Sequence, residues 1–177
     1  MILGVPSIMH SGTHLLRYEI LKPFADYPHH PVIEGVHYHR GGHPITAMKT
    51  QVEGWMSSSD FIVSPMRHPA RILQSFISRK RPINYDIYEG SDYESQWRNF
   101  IEFYNKYDIS LIHIDDEENR DEQVINFSNK IGIYLTPNWP VTKRTGCFQG
   151  NHNLELTDEL INKVPSWIMD FYTTLSP

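Results

Sequence analysis

The first 21 residues constrain the fold more than any other stretch of the sequence. Residues 2–5 form an apolar run short enough for a buried strand, and residues 15–21 carry apolar side chains at helical spacing. Residues 6–13, mostly small or polar, connect the two. A strand, a tight loop and a helix in this order direct backbone N–H groups and the positive end of a helix dipole at one anion. The sequence therefore predicts an anion-binding loop near its amino-terminal end.

Short apolar runs alternate with amphipathic stretches along the rest of the chain. The apolar runs predict strands over 32–36, 60–66 and 109–114. Helical spacing predicts helices over 44–57, 68–77, 93–107, 118–131 and 157–172, the last bent at Pro165. Strands that alternate with helices imply a parallel sheet covered on both faces. We expect an α/β protein with three layers and a mostly parallel sheet of about four to five strands.

Composition narrows the class of protein. A chain of 177 residues predicts one domain, 1–177. The net charge of −5 argues against nucleic-acid binding. Because no apolar run approaches the roughly 20 residues of a membrane span, no membrane span is expected, and we expect a cytoplasmic protein. The single cysteine, Cys147, excludes an internal disulfide.

Polar residues follow three of the predicted strands. These are the loop at 10–13, the histidines within 37–43, and Arg67. Ligands of parallel α/β sheets bind outside the carboxyl ends of the strands, so these three stretches are candidates for one site. No lysine follows Gly12, which disfavours an ordinary nucleoside triphosphatase or kinase.

Two of these stretches fit the pattern of one known family. His10-Ser11-Gly12-Thr13 follows the first predicted strand, while Arg67, Pro69 and Ser75 follow the third. The combination resembles the sulfotransferases that use 3′-phosphoadenosine 5′-phosphosulfate (PAPS), in which a basic residue precedes Ser-Gly-Thr. The resemblance implies a P-loop-like fold. It also implies an enzyme that transfers a sulfuryl group from PAPS to a small-molecule or carbohydrate acceptor, at a hydroxyl or amine.

The resemblance also assigns residues to the nucleotide. It implies that the first loop holds the 5′-phosphate. An arginine at a strand end and a serine two turns into the next helix can converge on one phosphate, and the resemblance implies that this is the 3′-phosphate. A later glycine-containing loop would close over that phosphate, although Thr145 replaces a second basic residue of the family pattern. The implied cofactor-binding residues are Ser11, Gly12, Thr13, His14, Arg67, Ser75, Arg144 and Gly146.

Histidines are the candidates for catalysis. The resemblance places His10 where the family has lysine or arginine, and a protonated histidine between phosphate and sulfate could stabilise the leaving oxygen. His37 or His39, after the second predicted strand, matches the family's base for the acceptor hydroxyl. Glu19 is a weaker candidate for the base. No metal is expected.

Two other readings of the chain stay open. The first is a non-catalytic nucleotide-binding protein of the same fold. The second is a metallohydrolase in which His37, His39 and His43 bind zinc. The aromatic residues of 93–107 are expected to form core rather than a stacking surface. The acidic block at 115–122 is expected to be the solvated start of a helix.

Overall fold

The computed structural model describes residues 1–8, 11–21, 32–35, 52–78, 92–139 and 156–175. Within them, four strands form a sheet in the order β2-β1-β3-β4, and every neighbouring pair is parallel. The strands are β1 Leu3–Pro6, β2 Val32–Gly35, β3 Phe61–Met66 and β4 Ile109–His113. The predicted α/β class, with a parallel sheet flanked by helices, is confirmed.

Most of the helices follow a strand or pack on one. The first is α1, Thr13–Leu15, which continues directly into one π-helical turn, Leu16–Ile20. The others are α2 over 52–57, α3 Pro69–Ser78, α4 Tyr93–Lys106, α5 Arg120–Ile131, α6 Asp158–Ile161 and α7 Ser166–Thr174. The part of the predicted helix 44–57 that precedes α2 lies outside the described residues. None of the described helices has the length and apolar character that crossing a bilayer requires.

Two apolar layers cover the sheet because the side chains of a strand alternate between its faces. Val63 of β3 lies in one buried cluster with residues of the π-helical turn and of α5. Met66 of the same strand lies in another cluster, with residues of α3, α4 and α7. The sheet is therefore the middle of three layers. The strands read as nearly continuous apolar runs because both faces are covered.

The aromatic residues of α4 belong to the core, as the sequence predicts. Tyr93 and Trp97 have no exposed surface, and Phe100 and Phe103 are almost as buried. The ring of Trp97 makes edge-to-face contacts with its neighbours at 6.3–6.5 Å, and the Tyr93 hydroxyl donates to the Pro69 carbonyl oxygen. These rings fasten α4 against α3 and α7.

Three element boundaries carry recognisable chemistry. Thr157 caps α6 by accepting from the N–H of Leu160. Gly132 ends α5 in the left-handed conformation, at φ +70°. The predicted last helix is two helices, α6 and α7, because Pro165 precedes the first turn of α7 with an extended backbone. A bend was expected there, and the chain breaks instead.

Candidate functional site

The carboxyl ends of β1 and β3 form the point at which the strand order reverses. The chain passes from β1 to β2 on one side, and from β3 to β4 on the other side. The ladder between β1 and β3 joins only Leu3 with Phe61 and Gly4 with Ile62, whereas β3 pairs with β4 from Ile62 to Met66. Parallel α/β proteins bind ligands at such a point. The predicted loop after β1 and the predicted Arg67 lie on its two sides.

The loop after β1, residues 7–13, is tightly packed where the structure describes it. Ser7, Ser11 and Thr13 are almost completely buried. The Thr13 hydroxyl donates to the Ser7 hydroxyl oxygen at 2.6 Å, and the Ser11 N–H donates to the Ile8 carbonyl oxygen at 3.0 Å. The proton of the Thr13 hydroxyl is therefore already used inside the loop. His14 follows as the second residue of α1.

Gly12 fits loop 7–13 against the end of β4. Its φ is +109°, a region that side chains other than hydrogen disfavour. A Cβ atom at this position would lie 3.1 Å from Cγ1 of Ile114. The Gly12 carbonyl accepts from the N–H of Leu16 and so opens the helix. Glycine avoids both the backbone strain and the close contact, so the loop can lie against Ile114, the residue next to Asp115.

Ser11 supplies a buried donor that the described residues do not use. Its side chain has no exposed surface, and its Oγ makes no hydrogen bond within the described part of the chain. A hydroxyl buried without a partner costs about 1–3 kcal/mol. The N–H groups in the first turn of a helix have no intrahelical acceptor. The loop thus combines unused donors with the positive end of the helix.

Arg67 lies directly after β3 and is held by a carboxylate after β4. Its Nε donates to Oδ1 of Asp115 at 3.0 Å. The other oxygen, Oδ2, accepts from the N–H of His68 at 3.2 Å and lies 3.5 Å from Nε of Arg71. We call Arg67, Arg71 and Asp115 the arginine triad. The expectation that the whole acidic block is solvated is therefore wrong for Asp115, because β3 and β4 place it beside two cations.

Ser75 lies farther along α3 and is half-buried. It lies six positions after Pro69, the first residue of α3, which corresponds to about 9 Å along the helix axis. No hydrogen bond joins Ser75 to Arg67, both of which the structure describes. Arg67 precedes the first turn of α3, whereas Ser75 lies within the helix.

Next to the triad lies a His–Tyr cluster, formed by His68, His113 and Tyr172. The ring of Tyr172 is 5.3 Å from that of His68 and 6.0 Å from that of His113, centroid to centroid. Burial lowers the pKa of both histidines, against the opposing charge of Asp115. Burial also raises the pKa of Tyr172 to about 12. Sequence reasoning missed this cluster because Tyr172 comes from the last described helix.

The geometry at His68 fixes its neutral form. Its Nδ1 accepts a hydrogen bond from the N–H of Ala70, at 3.2 Å, at the start of α3. A ring nitrogen that accepts carries no proton, so the other nitrogen holds the proton of the neutral ring. His68 therefore acts as a cap for α3, and protonation of the ring would remove that hydrogen bond.

Glu19, the weaker candidate for the base, lies in the π-helical turn. Its Oε2 accepts from the side-chain amide of Asn138 at 3.1 Å. This contact fastens the turn to the segment that follows α5. A π-helical turn is uncommon and is often found at functional sites.

The remaining predicted residues lie outside the described residues. They are the catalytic candidates His10, His37 and His39 and the cofactor-binding candidates Arg144 and Gly146. The three histidines of the zinc reading, at 37, 39 and 43, lie there as well. Within the described ranges, no group of three histidine, cysteine or carboxylate side chains could hold a metal ion.

The fold and the described residues define a class: a parallel α/β protein with polar side chains collected at the carboxyl edge of the sheet. Comparisons with protein-family models, with curated proteins and with solved structures found no match.

Proposed function

We propose that the chain is a P-loop-like sulfotransferase that uses PAPS. The observation that carries the proposal is the position of loop 7–13 and of Arg67, on adjacent strands and on both sides of the point where the strand order reverses. A nucleotide with phosphates at both its 5′ and 3′ positions carries two anionic groups, and its own covalent structure limits the distance between them. Two donor groups at one sheet edge suit such a ligand.

Loop 7–13 would take the 5′-phosphate. The support is the buried Ser11 hydroxyl, which no described residue engages, together with the first-turn N–H groups of α1. Arg67 would take the 3′-phosphate. Only its Nε is used by Asp115, so the four N–H bonds on its two terminal nitrogens are not engaged by described residues. Arginine is well suited to phosphate because its planar fork matches two oxygens at once.

The proposed reaction is an in-line displacement at sulfur. The acceptor oxygen forms a bond to sulfur while the bond between sulfur and the phosphate oxygen breaks, and negative charge develops on the leaving phosphate. Fixed donors aimed at that charge lower the barrier. By the family resemblance, His10 stabilises the leaving oxygen, and His37 or His39 takes the proton of the acceptor hydroxyl.

The binding half of the proposal is tested with two nucleotides that differ by one phosphate. Adenosine 3′,5′-diphosphate should raise the melting temperature more than AMP does, since only the former offers a group to Arg67. A ligand at 100 times its Kd adds about 2.7 kcal/mol, or roughly 5–11 °C for a chain of this size. Arg67→Gln should remove the difference between the two nucleotides. Arg98→Gln, at an exposed arginine of α4, is the matched control and should keep it.

The catalytic half needs a transfer assay. Labelled sulfate from PAPS should appear on a member of a panel of phenols, sugars and amines. Binding that depends on the 3′-phosphate but is followed by no transfer would instead favour the non-catalytic nucleotide-binding protein. The proposal would be refuted if the two nucleotides raised the melting temperature equally, or if neither raised it.

A further inference from the structure

We infer that Asp115 is a positioning residue that sets the direction of the Arg67 guanidinium for the second phosphate of a nucleotide. The inference rests on the proposed function and deepens it. It concerns an acidic residue that follows a different strand from the arginine it serves, 48 positions away in the chain.

The contacts of Asp115 resemble a clamp. Its carboxylate takes the side-chain Nε of Arg67 on one oxygen and the backbone N–H of His68 on the other, at 3.0 and 3.2 Å. Since these donors belong to consecutive residues, the carboxylate fixes both the backbone just after β3 and the guanidinium of the arginine. Because the guanidinium is planar, holding its Nε also restricts the orientation of its two terminal nitrogens.

Burial explains why the arginine needs this partner. The Arg67 side chain is only 9% exposed, and a guanidinium with so little water requires a counter-charge. An unrestrained arginine also loses rotamer entropy when it is fixed by a ligand. A carboxylate that holds Nε removes part of this loss before the phosphate arrives. The remaining donors meet the anion already oriented.

The triad still carries a net positive charge. Two arginines share one carboxylate, and Arg71 approaches the same oxygen that accepts from His68. Asp115 therefore neutralises one of the two cations. If the Asp115 carboxylate acted only through its negative charge, it would weaken the binding of an anion. If it acts by positioning Arg67, it strengthens that binding. The two readings predict opposite results when the carboxylate is changed.

The experiment compares two dissociation constants in each protein preparation. Isothermal titration calorimetry gives the Kd of AMP and of adenosine 3′,5′-diphosphate. The Kd of AMP divided by the Kd of the diphosphate measures how much affinity the 3′-phosphate adds. A ratio within one preparation is insensitive to the folded fraction. In Asp115→Asn we expect the ratio to fall about tenfold, the loss of one charge-assisted contact. The Kd of AMP should stay within about twofold of the parent value.

A matched control comes from the next residue. Asp116→Asn removes the same charge from the same loop, but this carboxylate accepts from the backbone N–H and the side-chain amide of Asn119. The ratio should stay close to that of the parent. Asp115→Glu is the second variant. It keeps the charge and moves the carboxylate by one methylene. If Asp115 acts by positioning, the ratio should be reduced, whereas a pure charge effect predicts an unchanged ratio.

The outcomes separate the inference from the function on which it rests. A parent ratio near one would refute the proposed 3′-phosphate site, and the inference with it. A clear preference of the parent for the diphosphate, with an unchanged or increased ratio in Asp115→Asn, would overturn only the inference. A reduced ratio in both Asp115 variants, with Asp116→Asn unaffected, supports it.

Discussion

Replacement of Gly12 by alanine gives the sharpest test of how loop 7–13 is held. The backbone there has φ +109°, and an L-residue in left-handed conformations costs roughly 1–2 kcal/mol. The new Cβ would also stand 3.1 Å from Cγ1 of Ile114, and overpacking of a buried contact costs roughly 1–3 kcal/mol. Together these effects should lower the free energy of unfolding by about 2–5 kcal/mol.

Two other glycines separate the backbone effect from the packing effect. Gly132 has φ +70°, but a Cβ added there would meet no described atom within 4 Å, so Gly132→Ala should cost only the backbone part, about 1–2 kcal/mol. Gly54 lies inside α2, and a Cβ added to it would also enter open space. Gly54→Ala should stabilise the protein by about 0.5–1 kcal/mol.

Urea unfolding of the three variants measures the series. The expected order of stability is Gly54→Ala above the parent, the parent above Gly132→Ala, and Gly12→Ala the lowest. A Gly12→Ala variant no less stable than Gly132→Ala would show that the Ile114 contact does not constrain the loop. The reasoning about how loop 7–13 reaches the end of β4 would then be wrong.

Three further predictions concern single side chains. Because burial lowers the pKa of His113 from its ordinary 6.5, its contribution to stability is complete above that value and is lost as the pH falls through the lowered pKa. Urea unfolding should therefore show stability decreasing from about pH 7 to about pH 5, and decreasing less in His113→Gln. Thr157→Ala should cost about 1 kcal/mol through loss of the α6 cap, while Thr157→Ser should keep most of the stability. Ser11→Ala should not lower the melting temperature, since the hydroxyl has no described partner, yet it should weaken binding of adenosine 3′,5′-diphosphate about tenfold. A lower melting temperature with unchanged binding would contradict the assignment of Ser11 to the 5′-phosphate.

The sequence predicts the secondary structure well where a local signal exists. The predicted strands at 60–66 and 109–114 agree with β3 and β4 to within about one residue, because apolar runs bounded by polar residues define them. Gly132 and Thr157 mark helix ends by their own chemistry. The π-helical turn has no such signal, because the sequence of residues 16–20 is compatible with an ordinary α-helix.

The site is predicted only in part, for a related reason. Arg67 stands out because it follows a strand and precedes a helix. Asp115 does not stand out, since it begins a run of acidic residues that resembles a solvated surface. The clue was available: Asp115 follows a strand that was expected to be parallel to β3, and the carboxyl ends of parallel strands meet at one edge. The partnership of His68 with Tyr172 needed the packing of α7, which no local pattern encodes.

The position of β1 has a consequence for how the chain acquires its structure. Along the chain β1 precedes both of its neighbours in the sheet, β2 and β3, so Leu3 can pair with Val32 and Phe61 only after those residues have been synthesised. During translation both edges of β1 are unpaired until β2 and β3 have been synthesised. Parallel pairing over such separations is slow, and unpaired apolar strands associate with other chains. Until residue 66 has been synthesised, β1 is therefore an apolar strand that lacks β3 as its partner and can associate with other chains.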